Sequence, residues 1–445
     1  FKLRGDWSFC EGVNLTVLTE YLHQPYTDRV PGVNAWFGTA FNRNNTWFFD
    51  MDSWVLYEKR CNFMLQQGLY VADLAYFIGE DAPKMAGITD PAPPNGYSYD
   101  LINGDVIRQR LSIRDGRFSL PDGMSYKLLV LPPLDNMRPE LLEKIRDLVQ
   151  AGGNIYGPPP THSPSLQNYP DADEMVKKLV QELWQDCNGE NITSASLGKG
   201  KVFWGLPLDK ALKELGTAPD VKLEDHPEIL WIHRATQRED IYFLSNQSEE
   251  TVRIDPVFRI TDRQPECWNA VTGSMQKTAM FEKTGKGMHV PLELGPRASI
   301  FVVFRDATGL RDPLRIIRRG DQEIRTDVVL TDQGIELILR ENGNYSLIRS
   351  SGRESMLEVK DIPESIGVSG PWEVSFTAGW GAPGSTQFDE LINWTESNDP
   401  GIKYYSGTAT YKKQVELPES LFSEDFQLIL DLGKVGNIAN VKVNG

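Results

Sequence analysis

Two patterns of apolar and polar positions divide the chain. Between residues 70 and 216, short contiguous apolar runs alternate with stretches of helical period. VADLAYFIG (Val71 to Gly79), YKLLVLPP (Tyr126 to Pro133), NIYGPP and KVFWG read as buried strands. PELLEKIRDLVQAGG (Pro139 to Gly153), DADEMVKKLVQELW (Asp171 to Trp184) and LDKALKELG (Leu208 to Gly216) carry apolar residues at helical spacing, and YSYDLINGDVIRQRL is expected to be helical too. Strands alternating with helices of this length imply a parallel sheet covered on both faces. Beyond Pro219 the helices stop. EILWIHR, DIYFLSNQS, VRIDPVFRI, PECWNAVTG, MHVPLEL and ASIFVVFR are short strands between turn residues, as in an all-β domain, and the β style continues through the charged segment from Arg311 to Ser350. His233, beside Trp231, reads as a satisfied packing residue. From Ile366 a last unit begins, and GVSGPWEVSF, GIKYYSGTATYKKQVEL and FQLILDLGKVGNIANVKVNG are expected to supply alternating strands up to Gly445.

Residues 1–68 follow neither pattern throughout. NLTVLT (Asn14 to Thr19) is expected to be a strand running into a loop, and Asp52 is expected to cap a helix through Tyr57, Cys61, Met64 and Leu65 that stops at Gly68. Between them lies HQPYTDRVPGVNAWFGTAFNRNNTWFFDMDSW (His23 to Trp54), the densest mixture of aromatics, amides and charges in the chain. Gly32, Gly38 and Pro31 punctuate it as a loop. Flat rings beside neutral amides suit a sugar, whose C–H faces stack while its hydroxyls take hydrogen bonds. The alternative is a loop packed on a core, with Arg29 and Arg43 paired to nearby aspartates.

Composition narrows the partners. With 46 basic against 62 acidic side chains the net charge is -16, which gives no electrostatic reason to bind a phosphate backbone. Nucleic acid is not expected. No apolar run approaches the length of a membrane span. Cys10, Cys61, Cys187 and Cys267 are spread without metal-site spacing. The parallel sheet calls for a test of nucleotide binding, but GEDAPKMAGITDPAPP after its first strand has neither the G-x-G-x-x-G spacing nor a phosphate-loop lysine. Gly198, Gly200 and Gly205 border a strand instead of opening a helix.

The blocks HQPYTDRVPG, FGTAFNRNNTWF, YEKRCNFMLQQGLYVADLAYFIGE, LPDGMSYKLLVLPP, GKGKVFWG and SGPWEVSF, taken in order, resemble the glycoside hydrolase family 106 enzymes, the α-L-rhamnosidases. The C-terminal piece is similar to the galactose-binding-like β-sandwich appended to many sugar hydrolases. The resemblance implies the C-terminal part of a (β/α)8 catalytic barrel in residues 1–68, a flavodoxin-like or Rossmann-like parallel α/β domain in 69–217, a β-sandwich in 218–306, a β-rich connecting segment in 307–365 and a truncated galactose-binding-like β-sandwich in 366–445. It implies an inverting glycosidase acting on terminal α-L-rhamnose of plant-type oligo- or polysaccharides, in a periplasmic or extracellular setting. A non-catalytic carbohydrate-binding or structural accessory protein is the alternative.

Inversion needs an acid and a base about 6.5–9.5 Å apart. The resemblance places both glutamates upstream of Phe1, so that this chain carries the rim of the site. Within the chain Glu20, at the expected strand end, is the catalytic candidate ahead of Glu11. His23, Arg29, Arg43 and Asn44 are candidate hydrogen-bonding residues for substrate, and Trp36 and Trp47 candidate stacking residues. Calcium is implied by the family, but Asp50 and Asp52 are too few to define a site.

Overall fold

The computed structural model describes residues 1–30, 32–34, 36, 41–80, 89–223, 225–307, 310–423 and 426–444. The expectations for Pro31, Phe37 and Gly38, and for half of the segment after the first parallel strand, fall outside these residues. The chain forms two compact units, one of Phe1–Leu15, Arg60–Leu339 and Gly343–Glu358, the other of Thr16–Lys59, Arg340–Asn342 and Val359–Gly445.

In the first unit a six-stranded sheet runs in the order Tyr99–Ile102, Leu74–Phe77, Leu128–Val130, Asn154–Tyr156, Gly200–Phe203, Ser194–Leu197. All pairings are parallel except the last, which is antiparallel. The two-residue period of a strand sorts its apolar run onto both faces. Ala75 and Phe77 pack with Leu141, Ile145, Leu148, Val176 and Leu183 from helices Pro139–Ala151 and Asp171–Trp184. Leu74 and Tyr76 pack with Leu208, Ala211 and Leu212 from helix Leu208–Glu214.

One expected helix is divided. In YSYDLINGDVIRQRL the YDLI run joins the sheet beside Leu74–Phe77, and the helix is only Gly104–Gln109, because the Asn103 side chain accepts from the Val106 N–H and fixes its start there.

A second, antiparallel sheet in this unit has the order Leu69–Tyr70, Ile229–Ala235, Asp240–Asn246, Ser299–Ala307, Arg263–Trp268, Met275–Lys277. Tyr242, Leu244, Val302 and Phe304 enter a core with Phe258, Phe281 and Leu292. Phe243 and Phe301 point the other way. There Phe9 meets Phe243 edge-on at 6.0 Å, carried by helix Lys2–Cys10, which the sequence pattern did not announce. The helix has a single strongly buried apolar anchor, and its buried Asp6 is held by Lys2 and by Ser245 Oγ at 3.4 Å.

Three expected elements are absent or shortened among the described residues. NLTVLT forms no strand: no neighbouring strand supplies backbone partners, and Leu15, Val17 and Leu18 are exposed. GIKYYSGTATYKKQVEL yields the short helix Pro400–Lys403 and strand Ala409–Lys412. Residues 426–444 form no strand either, and their apolar residues other than the half-buried Phe426 are exposed. The three-stranded sheet of the second unit, Ser385–Phe388, Trp372–Phe376 and Ala409–Lys412, buries Val374, Phe376, Phe388, Ile402 and Tyr405. No helix among the described residues is long and apolar enough to cross a membrane.

A chain of alternating charges joins the two large sheets of the first unit. Asp73, just before the parallel strand Leu74–Phe77, lies 3.7 Å from Arg117 and 2.9 Å from Arg259. Arg259 is 3.6 Å from Asp220, which accepts the Tyr242 hydroxyl at 3.0 Å and lies 2.7 Å from His233 Nδ1. His233 Nε2 lies 3.1 Å from Asp240, and Asp240 pairs with Arg263 at 2.6 Å. His233 is therefore satisfied and buried, as the sequence suggested, but by two carboxylates. A carboxylate only accepts, so both imidazole nitrogens carry protons. Burial opposes that charge, and Asp220 and Asp240 outweigh it, so the His233 pKa is raised. Burial likewise acts against the Asp220 anion, yet His233 and Arg259 leave its pKa lowered.

Stability therefore depends on pH from both sides. The raised His233 pKa gives stability that is full below about pH 6.5 and is lost as pH rises through the folded value. The lowered Asp220 pKa gives stability that is present above about pH 4 and is lost as pH falls through the folded value. We expect the urea midpoint of this unit to fall between about pH 6 and pH 9, and His233→Gln to lower the midpoint at the acid end and flatten that fall. Urea unfolding of both proteins across this range checks it.

Candidate functional site

The loop from His23 to Trp54 lies in the second unit and is organised by one buried amide. Gln24 is 6% exposed. Its Nε2 donates to the Val33 carbonyl, and its Oε1 accepts from the Val33 N–H at 2.9 Å, so a single side chain ties Gln24 to Val33 through both backbone groups. Asn44 Nδ2 adds a donor to the same Oε1 at 3.3 Å and reaches the Arg29 carbonyl at 3.5 Å. Arg43 Nη2 donates to the carbonyls of Gln24 (2.6 Å) and Tyr26 (3.0 Å), satisfying backbone that has no ladder to join. Gly32 has φ +85°, and a Cβ built there would lie 2.2 Å from Gln24 Oε1; glycine is required both by the turn and by the close approach.

The aromatic residues divide into two sets. Phe41 stands edge-on to Trp47 at 5.7 Å and parallel to Trp54 at 6.1 Å, a small cluster that seats the loop on helix Asp52–Leu65. Tyr21, Tyr26, Trp36 and Phe49 are exposed, Trp36 by 92%. The Arg29 guanidinium lies over the Tyr26 ring, 4.0 Å from its centroid.

Among the residues singled out from sequence, His23, Arg29, Trp36 and Arg43 are exposed, and Arg43, with the half-buried Asn44 and Trp47, makes the contacts that hold the loop. Among the described residues neither arginine pairs with an aspartate, contrary to the packing alternative: Arg43 serves carbonyls and Arg29 an aromatic face. Glu20 is half-buried, and its carbonyl accepts the Phe41 N–H at 2.9 Å. Glu11 is exposed at the C-cap of helix Lys2–Cys10. Glu58, on helix Asp52–Leu65, is the buried carboxylate that sequence reasoning passed over; it accepts the Thr16 hydroxyl at 2.9 Å. Gln24 was also passed over. Its signal was faint, a lone amide upstream of a glycine turn.

Asp50 and Asp52 do not fit calcium. Asp50 Oδ1 accepts from Asn440 Nδ2 at 2.7 Å, Asp52 Oδ1 accepts from the Ser53 N–H at 2.9 Å, and no group of three or more acidic, histidine or cysteine side chains among the described residues is arranged to hold a metal ion.

The loop's closure is open to a direct check. Gly32→Ala forces the new methyl against Gln24 and strains φ, so the Val33 amide is expected to exchange with solvent about 5- to 10-fold faster, the loss of one hydrogen bond of ordinary strength, while amides of strand Leu74–Phe77 are unaffected. Residue-resolved hydrogen exchange measures both.

A family model described as alpha-L-rhamnosidase, glycoside hydrolase 106, matches residues 1–283. A solved rhamnosidase from Novosphingobium sp. PP1Y is 30% identical, with a TM-score of 0.72, over 92% of this chain and 35% of that one. A Formosa agariphila protein provisionally named a beta-glucuronidase is 26% identical, over 100% of this chain and 52% of its own length. The chain thus spans about half the length of this curated relative and about a third of that of the solved rhamnosidase. Because the family model takes in well over half of the sequence, the chain belongs to glycoside hydrolase family 106, the alpha-L-rhamnosidases.

Proposed function

We propose that this chain is the C-terminal portion of an inverting α-L-rhamnosidase that removes terminal α-L-rhamnose from oligo- or polysaccharides outside the cytoplasm. In this reading residues 1–68 close a (β/α)8 barrel, residues 69–217 form a flavodoxin-like domain, and the remainder forms β-sandwich domains with a connecting segment between them. The order of the five parallel strands supports the second assignment: the first strand in sequence sits inside the sheet, with the second on one side and the third to fifth on the other.

The observation that carries the proposal within the chain is the loop's division of labour. Arg43, Asn44, Trp47 and Gln24 are spent on holding it, while His23, Arg29 and Trp36 are presented outward. Exposed rings held on a tied loop are costly for mere packing and suit sugar stacking. Val17 (78% exposed), Tyr21 (70%) and Phe49 (76%) add apolar surface of the kind that further barrel segments cover.

The acid and base of inversion are assigned to barrel segments outside this chain, with Glu20 as the candidate inside it. The chemistry asked of them is protonation of the glycosidic oxygen by one carboxyl and activation of water on the opposite face by the other. Release of 4-nitrophenol from 4-nitrophenyl α-L-rhamnoside, by this chain and by the longer protein with its complete barrel, tests the assignment. Turnover by the longer protein alone is expected. Turnover by the 445-residue chain itself would place the carboxylates within it and put Glu20 first. Rhamnoside binding without turnover by either would favour the accessory-protein reading.

A further inference from the structure

Residues 16–20, which lead into the loop, join no strand ladder among the described residues, and burial does not hold them: Val17 is 78% exposed and Leu18 43%. Only Thr16 and Glu20 of the five are half-buried, and each is tied. Thr16 Oγ1 donates to Glu58 Oε2 at 2.9 Å, and Glu58 is 7% exposed. At the other end the Glu20 carbonyl accepts the Phe41 N–H at 2.9 Å, and the Phe41 ring lies parallel to Trp54 at 6.1 Å. Both ties lead to one helix. Trp54 and Glu58 are four residues apart on Asp52–Leu65, so they stand on the same face.

We propose that Glu58 is a positioning residue for the reaction: with Trp54 it forms a two-point clamp that fixes residues 16–20 and so sets where Glu20 and His23 stand. Taking a carboxylate out of water costs more than packing an apolar side chain at the same helix position. Here that carboxylate holds a segment that neither a ladder nor a core would keep in place. The loop beyond it has ties of its own, through Gln24 to Val33 and through Arg43 to the Gln24 and Tyr26 carbonyls. Losing the clamp therefore disturbs alignment at the reacting end more than it disturbs ground-state contacts made by the loop.

The kinetic readout rests on the rhamnosidase reading, so the test has two arms. In the first, the longer protein with its complete barrel is assayed on 4-nitrophenyl α-L-rhamnoside. Thr16→Val, which keeps the shape and removes the hydroxyl, is expected to lower kcat about 10-fold or more, as small misplacements of reacting groups do, with KM nearly unchanged. Glu58→Ala lowers it as far, and the double variant no further, because the two side chains act through one bond. Thr16→Ser and Glu58→Gln restore most of the rate, since serine still donates and the glutamine carbonyl still accepts. Wild-type kcat in Thr16→Val, an additive double variant, or a loss that follows the thermal midpoint overturns the proposal.

The second arm needs no turnover. Hydrogen exchange of the 445-residue chain follows the Phe41 amide, which reports the far tie. Thr16→Val and Glu58→Ala are each expected to speed its exchange about 5- to 10-fold, the loss of one ordinary hydrogen bond, while strand Leu74–Phe77 is unaffected. That result upholds the clamp even if the longer protein cleaves no rhamnoside, and the rhamnosidase reading then fails alone. A Phe41 amide indifferent to both substitutions sinks the clamp whatever the enzyme does.

Discussion

The first unit depends on a row of charges that no solvent-exposed arrangement would reproduce. Asp73 belongs to the parallel sheet and Asp220, His233, Asp240 and Arg263 to the β-rich part, with Arg259 between them. A buried ion pair is weak evidence of stability, because desolvation offsets the attraction. Removing one member is different, since it strands a partner in low dielectric. The alternation of sign along the row therefore fixes how the two sheets meet more firmly than it raises stability, and it leaves each strand's apolar residues free to serve their own cores.

The loop of the second unit solves a related problem with neutral groups. It has no ladder to satisfy its backbone, so side chains do so: Gln24 serves Val33, Arg43 serves two carbonyls and Asn44 serves Gln24 and Arg29. Gly32 is the point at which this fails if any side chain is added. The residues that face outward are thereby held on a tied loop at little cost to the core.

Much of the first unit was legible because period and burial agree there. Asp171–Trp184 and Pro139–Ala151 fall where helical spacing puts them, and Leu74–Phe77 lies within its apolar run. The reading failed where local pattern and tertiary partner diverge. NLTVLT has strand residues and no strand beside it, while YDLI has a strand beside it within a segment whose pattern reads as helix. Helix Lys2–Cys10 was missed because Phe9 alone anchors it strongly. In the loop, composition singled out a stretch rich in rings and amides but could not say which polar residues hold it and which face out, since Arg29 and Arg43 differ only in what surrounds them.

The measurement that tests the central claim most directly is hydrogen exchange of the longer protein with and without L-rhamnose. Slower exchange is expected in amides between residues 23 and 47, with strand Trp372–Phe376 unchanged. Protection confined to that strand or its neighbours, with the loop unaffected, would contradict the assignment of the loop to the substrate rim.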